Sequence, residues 1–186
     1  MIIHTNGYWQ GVEAKEHHYY DVCLCDSLMQ FFNKEKATSL VDFGCGMGNY
    51  VKTFQEHNLN IIGFDGNPNT PELTNHLCKV LDLSLPIQME PFDWVMSLEV
   101  AEHLPPEFED IFIQNLHKNN KHGIVLSWAI EGQGGDGHVN LRNNDYVKEK
   151  ICALGYKNDV ESEQKLRDDS SLVWFKKTIM VFRKVG

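Results

Sequence analysis

A glycine-rich break directly after a short apolar run constrains the fold of this chain more than any other feature. Residues 40–43 read as a buried strand, three glycines follow at alternate positions, and a helical pattern begins near Tyr50. In an open α/β sheet, a strand, a glycine turn and a helix form the edge at which a nucleotide binds. Because glycine has no Cβ, a ligand can approach the main chain there. We therefore expect a ligand site within residues 41–50.

The spacing of the glycines excludes two common nucleotide sites. A dinucleotide fingerprint, G-x-G-x-x-G, would need its third glycine at position 49, where the chain has Asn49. The Gly-Lys-Ser/Thr ending of a phosphate-binding P-loop is also missing. Asp42, two residues before the first glycine, would repel a phosphate group. Its carboxylate either indicates a ligand with a positive charge, such as an amino group or a sulfonium, or merely caps a turn.

An acidic residue followed by G-x-G-x-G resembles motif I of the class I S-adenosylmethionine-dependent methyltransferases. The resemblance extends over about residues 40–128 and implies S-adenosylmethionine as the methyl donor. It also implies that Asp65, at the end of the second strand, accepts the ribose hydroxyls, and that Asp82, at the end of the third, binds the adenine amino group. Asp65 also begins a strong turn signal, D-G-N-P, and the two roles are compatible.

The resemblance gives a set of predicted cofactor-binding residues. In related methyltransferases the segment before the first strand often folds over the cofactor, so Tyr8 and Trp9 are interpreted either as a lid or as ordinary packing. Gly66 stands where the family often has a larger residue that packs on adenine, which leaves that contact without a side chain. The full set is Tyr8, Trp9, Asp42, Gly44, Cys45, Gly46, Gly48, Asp65, Gly66, Asn67, Asp82, Leu83, Leu98 and Glu99.

A second motif, L-E-V-A-E-H-L-P-P, follows the predicted fourth strand at residues 98–106. It is similar to the E-V-x-E-H segment of ubiquinone-pathway O-methyltransferases and of small-RNA 2′-O-methyltransferases. On a helical turn, Glu99, Glu102 and His103 would share a face. With His138 from a later glycine-rich loop, they would form a site for magnesium, manganese, iron or zinc.

The same residues allow an interpretation without a metal. One glutamate would then hold the methionine end of the cofactor or the substrate, and His103 would cap the local turn or pack under the cofactor. His138 is a candidate general base, because the pKa of histidine lies near working pH. The candidate catalytic residues are His138, His103 and Glu99.

Alternating strand and helix signals predict one α/β domain over residues 1–186. We expect an N-terminal lid and helix over 1–35 and a Rossmann-like core over 38–186. The core is predicted to be a doubly wound, seven-stranded, mostly parallel sheet with an antiparallel edge strand and helices on both faces. In the N-terminal helix, spacing by three and four predicts an inward stripe at Tyr19, Val22, Cys25, Met29 and Phe32.

Net charge, cysteine count and the lengths of the apolar runs limit the expected classes of partner and the expected cellular compartment. The net charge of −9 favours a small molecule or glycan over nucleic acid, although a local basic patch would still permit RNA binding. An odd number of cysteines, no signal peptide pattern and no membrane-length apolar run predict a cytoplasmic protein that does not act in a membrane.

Together these features predict methyl transfer to a hydroxyl of a small molecule or sugar. Two alternatives remain: a methyltransferase acting on RNA (metal-assisted 2′-O) or on protein, and a non-catalytic cofactor-binding partner module.

Overall fold

The structure is a computed structural model that describes residues 2–13 and 18–186. Part of the predicted lid segment, at residues 14–17, therefore lies outside the described residues, as does residue 1. The strands are β1 (Ile2–Ile3), β2 (Trp9–Gln10), β3 (Leu40–Phe43), β4 (Ile61–Asp65), β5 (Lys79–Val80), β6 (Phe92–Leu98), β7 (Asn120–Ser127), β8 (Tyr156–Asn158) and β9 (Met180–Lys184). The helices are α1 (Val22–Lys34), α2 (Asn49–Glu56), α3 (Thr70–Leu73), α4 (Glu109–Lys118), α5 (Asn144–Cys152), α6 (Val160–Asp169) and α7 (Phe175–Thr178).

The central sheet confirms the predicted architecture. Its seven strands run in the order β5-β4-β3-β6-β7-β9-β8, and β3 to β7 pair in parallel. Strand β9 is antiparallel to both of its neighbours, β7 and β8. Strands β1 and β2 form a separate antiparallel hairpin. Because β3, β4 and β6 are parallel neighbours, the segments that leave their carboxyl ends meet at one edge of the sheet.

Alternating side chains of the central strands form a hydrophobic core on each face of the sheet. Leu40 and Trp94 pack with α1 and α2 on one face, whereas Val41 and Val95 pack with α4 and α5 on the other. All four residues of β3 are buried, as expected for a strand covered on both faces. This packing fixes the position of the glycine turn that follows β3.

The buried face of α1 matches the predicted stripe only in part. Cys25 and Phe32 are buried and Met29 packs against the core, but Tyr19 is 69% exposed and Val22 is 57% exposed. The other buried residues of the helix are Leu24, Ser27, Leu28 and Phe31. The helix begins only after Asp21, whose side chain accepts a hydrogen bond from the Leu24 amide and caps the helix. Tyr19 is therefore outside the helix, and the inward row runs through Leu24 and Leu28.

Two other local predictions were wrong. The third strand was expected to reach Asp82 but ends at Val80, and Asp82 accepts hydrogen bonds from the Ser84 amide and hydroxyl in a turn. Residues 99–103 do not form a helical turn that includes Glu99, because Glu99 has a left-handed backbone with φ of +53°. Among the described residues, no helix is long and apolar enough to cross a membrane.

Candidate functional site

A cavity of about 720 Å³ opens at the carboxyl ends of β3, β4 and β6. Its wall also includes the β1–β2 hairpin, the loop that contains His138, and the start of α7. Most of the predicted cofactor-binding residues line it: Tyr8, Trp9, Asp42, Gly44, Cys45, Gly46, Asp65, Gly66, Asp82, Leu83, Leu98 and Glu99. The fold thus brings together residues from five separate segments of the chain.

The glycine turn after β3 is shaped by close packing. The amides of Gly44 and Cys45 both donate to the carbonyl of Phe64 in the neighbouring strand, at 2.7 and 2.9 Å. Gly44 has φ of +85°, and a Cβ placed on it would lie 2.3 Å from Val100. A side chain at position 44 would therefore be strained and would collide with the segment after β6.

Gly48 and Asn67 do not line the cavity. Gly48 precedes α2 with φ of +68°, and a Cβ on it would approach the sulfur of Cys78 at 2.9 Å, so it serves the start of the helix. Asn67 is 3% exposed; its amide group donates to the carbonyl of Gly11 at 3.1 Å, and its side-chain oxygen accepts from Asn69. Both residues were predicted to contact the cofactor, but they instead support the segments that form the cavity wall.

Asp65 joins the two turns that border the cavity. One carboxylate oxygen accepts from the Gly46 amide at 2.9 Å, and the other accepts from the Asn67 amide at 2.9 Å. Each oxygen retains a lone pair after these bonds, because a carboxylate offers about four acceptor positions. Asp65 can therefore accept further donors from a ligand in the cavity.

Asp42 is buried at the floor of the same region. Burial, reinforced by the negative charge of Asp65, raises the pKa of Asp42 to about 8. The carboxyl group is therefore largely protonated at neutral pH in the absence of a ligand. A cationic group placed beside Asp42 would favour its ionised form, which makes the site suited to a positively charged ligand.

The β1–β2 hairpin forms a wall of the cavity. The Asn6 side chain donates to Asp82 at 2.7 Å, and a Cβ on Gly7 would lie 2.1 Å from the carbonyl oxygen of His103. Tyr8 and Trp9 both line the cavity, and the Trp9 ring lies edge-on to the His103 ring at 5.1 Å. This placement favours the lid interpretation of the two aromatic residues.

Glu99 does not belong to the cluster of possible metal ligands. Its carboxylate accepts hydrogen bonds from Gln133 at 2.6 Å and Thr178 at 3.0 Å, and its amide donates to the Ser127 hydroxyl at 2.8 Å. The left-handed backbone turns the side chain towards these partners. The predicted four-ligand set therefore loses Glu99, which still lines the cavity.

Glu102, His103 and His138 do converge. One ligand atom from each lies within 4.8 Å of the others. Glu102 is fully buried, and its carboxyl group lies beside that of Glu99. A carboxyl group and two imidazoles that converge in this way are a set of donors suited to a divalent cation.

Electrostatics in this cluster follow from burial. Burial, followed by the nearby Glu99 carboxylate, raises the pKa of Glu102 well above its usual range. Burial, followed by the charge of His138, lowers the pKa of His103 to about 4. His103 is therefore neutral at pH 7 and carries a lone pair that can bind a metal or accept a proton.

His138 is positioned by its own loop. Its Nδ1 lies 3.3 Å from the carbonyl oxygen of Gln133, which requires the proton on Nδ1 and leaves the lone pair on Nε2. A Cβ on Gly135 would lie 2.2 Å from Nε2, so the glycine permits the ring to fold against the loop. The His138 ring lies edge-on to the His103 ring, with ring centroids 4.9 Å apart.

Several residues on the cavity wall were not predicted from the sequence. Asn6 contacts Asp82, His18 lies over Gly46, and Gln133 holds Glu99. Tyr19 and Trp174 pack edge to face at 5.4 Å on the same wall. None of these residues belongs to a local motif. Only the aromatic and histidine-rich composition of residues 4–20 marks the hairpin segment in advance.

Comparison with solved structures finds the same fold in methyltransferases. A magnesium protoporphyrin IX methyltransferase from Synechocystis PCC 6803, solved with bound S-adenosylhomocysteine, superposes with a TM-score of 0.67 at 15% identity over 87% of this chain and 81% of that chain. The sugar N-methyltransferase KedS8 from Streptoalloteichus sp ATCC 53650 gives 0.69 at 12% identity over 89% and 88%. The methyltransferase domain of a bacterial Hen1 protein gives 0.62 at 13% identity over 94% and 100%.

Sequence comparison identifies the family. No curated protein shows significant sequence similarity to the chain. The family model described as a methyltransferase domain, however, matches residues 16–127, which is more than half of the chain. This region includes the glycine turn, the strand-end acids and the Glu102–His103 segment. The chain therefore belongs to the methyltransferase domain family.

Proposed function

We propose that this methyltransferase transfers the methyl group of S-adenosylmethionine to a hydroxyl group of a small molecule or sugar. The observation that carries the proposal is that one cavity contains both residues suited to binding the methyl donor and residues suited to removing a proton. One side is formed by the glycine turn with Asp42, Asp65 and Asp82. The other contains His103 and His138.

The first side fits the methyl donor. S-adenosylmethionine supplies a methyl group that is already activated by its positively charged sulfur, so the protein has mainly to bind and orient it. Asp65 retains lone pairs for the ribose hydroxyls, Asp82 can accept from the adenine amino group, and buried Asp42 favours a nearby positive charge. The solved neighbours that hold the cofactor or its product support this assignment.

The second side fits proton removal from the acceptor. His138 lines the cavity and keeps a lone pair on Nε2, which can take the hydroxyl proton as the acceptor oxygen bonds to the methyl carbon. His103 is neutral and lies beside it. The aromatic side chains Trp9, Tyr19 and Trp174 on the cavity wall offer faces on which a sugar or a ring can pack.

A divalent metal also fits this side. Glu102, His103 and His138 would hold it, because one donor atom from each lies within 4.8 Å of the others. His138 would then be a metal ligand instead of the base, since its single lone pair cannot serve both roles. A metal there would lower the pKa of an acceptor hydroxyl. We propose this site without Glu99, whose carboxylate is engaged by Gln133 and Thr178.

The acceptor is proposed to be neutral or cationic. Among the described residues that line the cavity there is no lysine or arginine, whereas five carry carboxylates: Asp42, Asp65, Asp82, Glu99 and Asp136. Such a wall disfavours an anionic acceptor. The net charge of −9 also disfavours an anionic acceptor.

We also propose a cytoplasmic location, consistent with the five free cysteines of the chain.

The function is tested with S-adenosylmethionine carrying a labelled methyl group. The purified protein is incubated with a panel of sugars and hydroxylated small molecules, with and without a divalent ion, and His138→Ala serves as the matched control. We expect label in a product of the parent protein and much less with His138→Ala. Absence of transfer to any member of the panel, together with transfer to RNA, would contradict the small-molecule assignment.

RNA is the second candidate acceptor. It is favoured by the Glu102–His103–His138 cluster, since the E-x-x-E-H segment resembles that of small-RNA 2′-O-methyltransferases. A gel-shift titration distinguishes an RNA acceptor from a small-molecule acceptor. If RNA is the acceptor, the protein should bind RNA, and this binding should weaken steeply as the salt concentration is raised, because it depends on phosphate contacts. We expect no RNA binding at physiological salt.

A further inference from the structure

Tyr8 lies in the space that a side chain at position 66 would occupy. A Cβ placed on Gly66 would come within 2.5 Å of the Tyr8 Cβ and 2.6 Å of its Cγ. Real side-chain atoms do not approach so closely, so a side chain at position 66 and Tyr8 in its present position exclude each other. Because Gly66 has no side chain, Tyr8 and the β1–β2 hairpin can form part of the cavity wall.

The Tyr8 ring is supported from outside the cavity. His4 stacks on it with ring centroids 4.4 Å apart and an angle of 10° between the planes. Tyr8 lines the cavity, whereas His4 does not. The histidine therefore covers one face of the ring. Because Tyr8 is only half-buried and lines the cavity, part of the remaining aromatic surface can contact an occupant of the cavity.

Two further contacts hold the hairpin in register with the cavity. Asn6 donates to one oxygen of Asp82 at 2.7 Å, and Gly7, with φ of +95°, packs directly on the backbone of His103. The hairpin is therefore fixed beside both the strand-end acid and the histidine cluster. Tyr8, between these two anchors, has a defined place on the wall.

We propose that Tyr8 provides the aromatic face on which the adenine ring of the methyl donor stacks, in place of a side chain at position 66. The inference rests on the proposed use of S-adenosylmethionine. Leu83, which is buried and lines the same cavity, provides an apolar surface next to Asp82. A planar base that donates its amino group to Asp82 is then held by Tyr8 and Leu83.

Calorimetric titration with S-adenosylhomocysteine tests the proposal. We expect Tyr8→Ala to weaken binding about tenfold, which corresponds to about 1.4 kcal/mol, because one base–aromatic stack is lost. Tyr8→Phe keeps the ring and is expected to bind like the parent. Adenosine, which keeps the base and lacks the amino acid, should lose affinity in Tyr8→Ala by the same factor.

A pair of substitutions tests the exclusion between the two positions. In the parent background, Gly66→Ile should weaken binding because it displaces Tyr8 from the wall. In a Tyr8→Gly background, which also removes the Tyr8 Cβ that would lie 2.5 Å from an added Cβ, the same substitution should strengthen binding, because isoleucine fills the vacated space beside the base. Gly66→Ala, which adds one methyl group, is the milder variant, and the melting temperature of each ligand-free variant checks its folding.

The outcomes separate this inference from the function on which it rests. If the parent binds S-adenosylhomocysteine and folded Tyr8→Ala binds it equally well, the stacking role is overturned and the proposed function stands. If Tyr8→Ala loses affinity for S-adenosylhomocysteine but not for adenosine, the stacking role is likewise overturned. If the parent does not bind S-adenosylhomocysteine at all, the proposed function and the inference are overturned together.

Discussion

Asp42 is buried next to Asp65, and this proximity links the charge of the cavity to the stability of the protein. The pKa of Asp42 is raised to about 8 from an ordinary value of 3.8, first by burial and then by the charge of Asp65. Between these two values the folded protein keeps a proton that the unfolded chain has lost. The contribution of Asp42 to the free energy of unfolding therefore falls as pH rises through this window.

Replacing Asp42 with asparagine should remove the decrease in the free energy of unfolding that Asp42 causes as pH rises. We expect Asp42→Asn to be more stable than the parent at pH 8, with a smaller advantage at pH 4, as measured by denaturant unfolding. Asp26→Asn, on the exposed surface of α1, is the matched control and should leave the pH profile unchanged. If the free energy of unfolding of the parent instead increased from pH 4 to pH 8 relative to that of Asp42→Asn, the raised pKa of Asp42 would be contradicted.

The same carboxyl group should release a proton when a cationic ligand binds. A positive charge beside Asp42 lowers its pKa, so at pH 7 binding of S-adenosylmethionine should be accompanied by proton release. Calorimetry in two buffers of different ionisation enthalpy measures this release. S-adenosylhomocysteine lacks the charge on sulfur and should release less. If Asp42→Asn released as many protons as the parent on binding S-adenosylmethionine, the proton would come from a group other than Asp42.

Divalent metal binding should depend on Glu102 and not on Glu99. Elemental analysis of the parent, after incubation with Mn²⁺ or Zn²⁺ and gel filtration, should find retained metal. Glu102→Gln and His103→Asn should lose it, because each removes a converging ligand. Glu99→Gln is the matched control and should retain it, since Glu99 is held by Gln133 and Thr178.

The opposite pattern would contradict the proposed metal ligands. Loss of metal from Glu99→Gln with retention in Glu102→Gln would mean that Glu99 moves from its present partners. Full methyl transfer in EDTA, with no metal found in the parent, would remove the metal from the proposed mechanism and leave His138 as the base.

The glycine turn should tolerate no side chain at position 44. Gly44→Ala combines a left-handed backbone with a collision against Val100, and should lower the free energy of unfolding by roughly 1–3 kcal/mol or more. Gly134→Ala, where nothing lies within 4 Å of the added atom, is the control and should change stability little. Equal melting temperatures for both variants would contradict the packing around Gly44.

The predictable parts of this fold are those encoded locally. The strand–glycine–helix order around Gly44 needs only a short apolar run and glycines at fixed spacing. Asp42 and Asp65 could be placed together because parallel neighbouring strands end at the same edge of the sheet. The E-x-x-E-H segment could likewise be placed at the end of β6, which reaches that edge.

What sequence reasoning missed depends on distant contacts and on backbone exceptions. The left-handed conformation of Glu99 breaks the helical periodicity on which the four-ligand set relied. The Asn6–Asp82 bond joins residues that are far apart in the chain, and no local pattern marks it. The start of the inward stripe of α1, at Tyr19 and Val22, was misplaced because the cap at Asp21 was not recognised, although an aspartate before the helix is a signal that could have been used.

Binding of S-adenosylhomocysteine to the parent protein and to Asp65→Ala shows whether the cavity is the site of the methyl donor. Asp65 lies between the glycine turn and the cavity, and its carboxylate is the proposed acceptor of the ribose hydroxyls. We expect saturable binding and a raised melting temperature for the parent, and loss of most of both for Asp65→Ala. No binding to the folded parent, or undiminished binding to Asp65→Ala, would contradict the account.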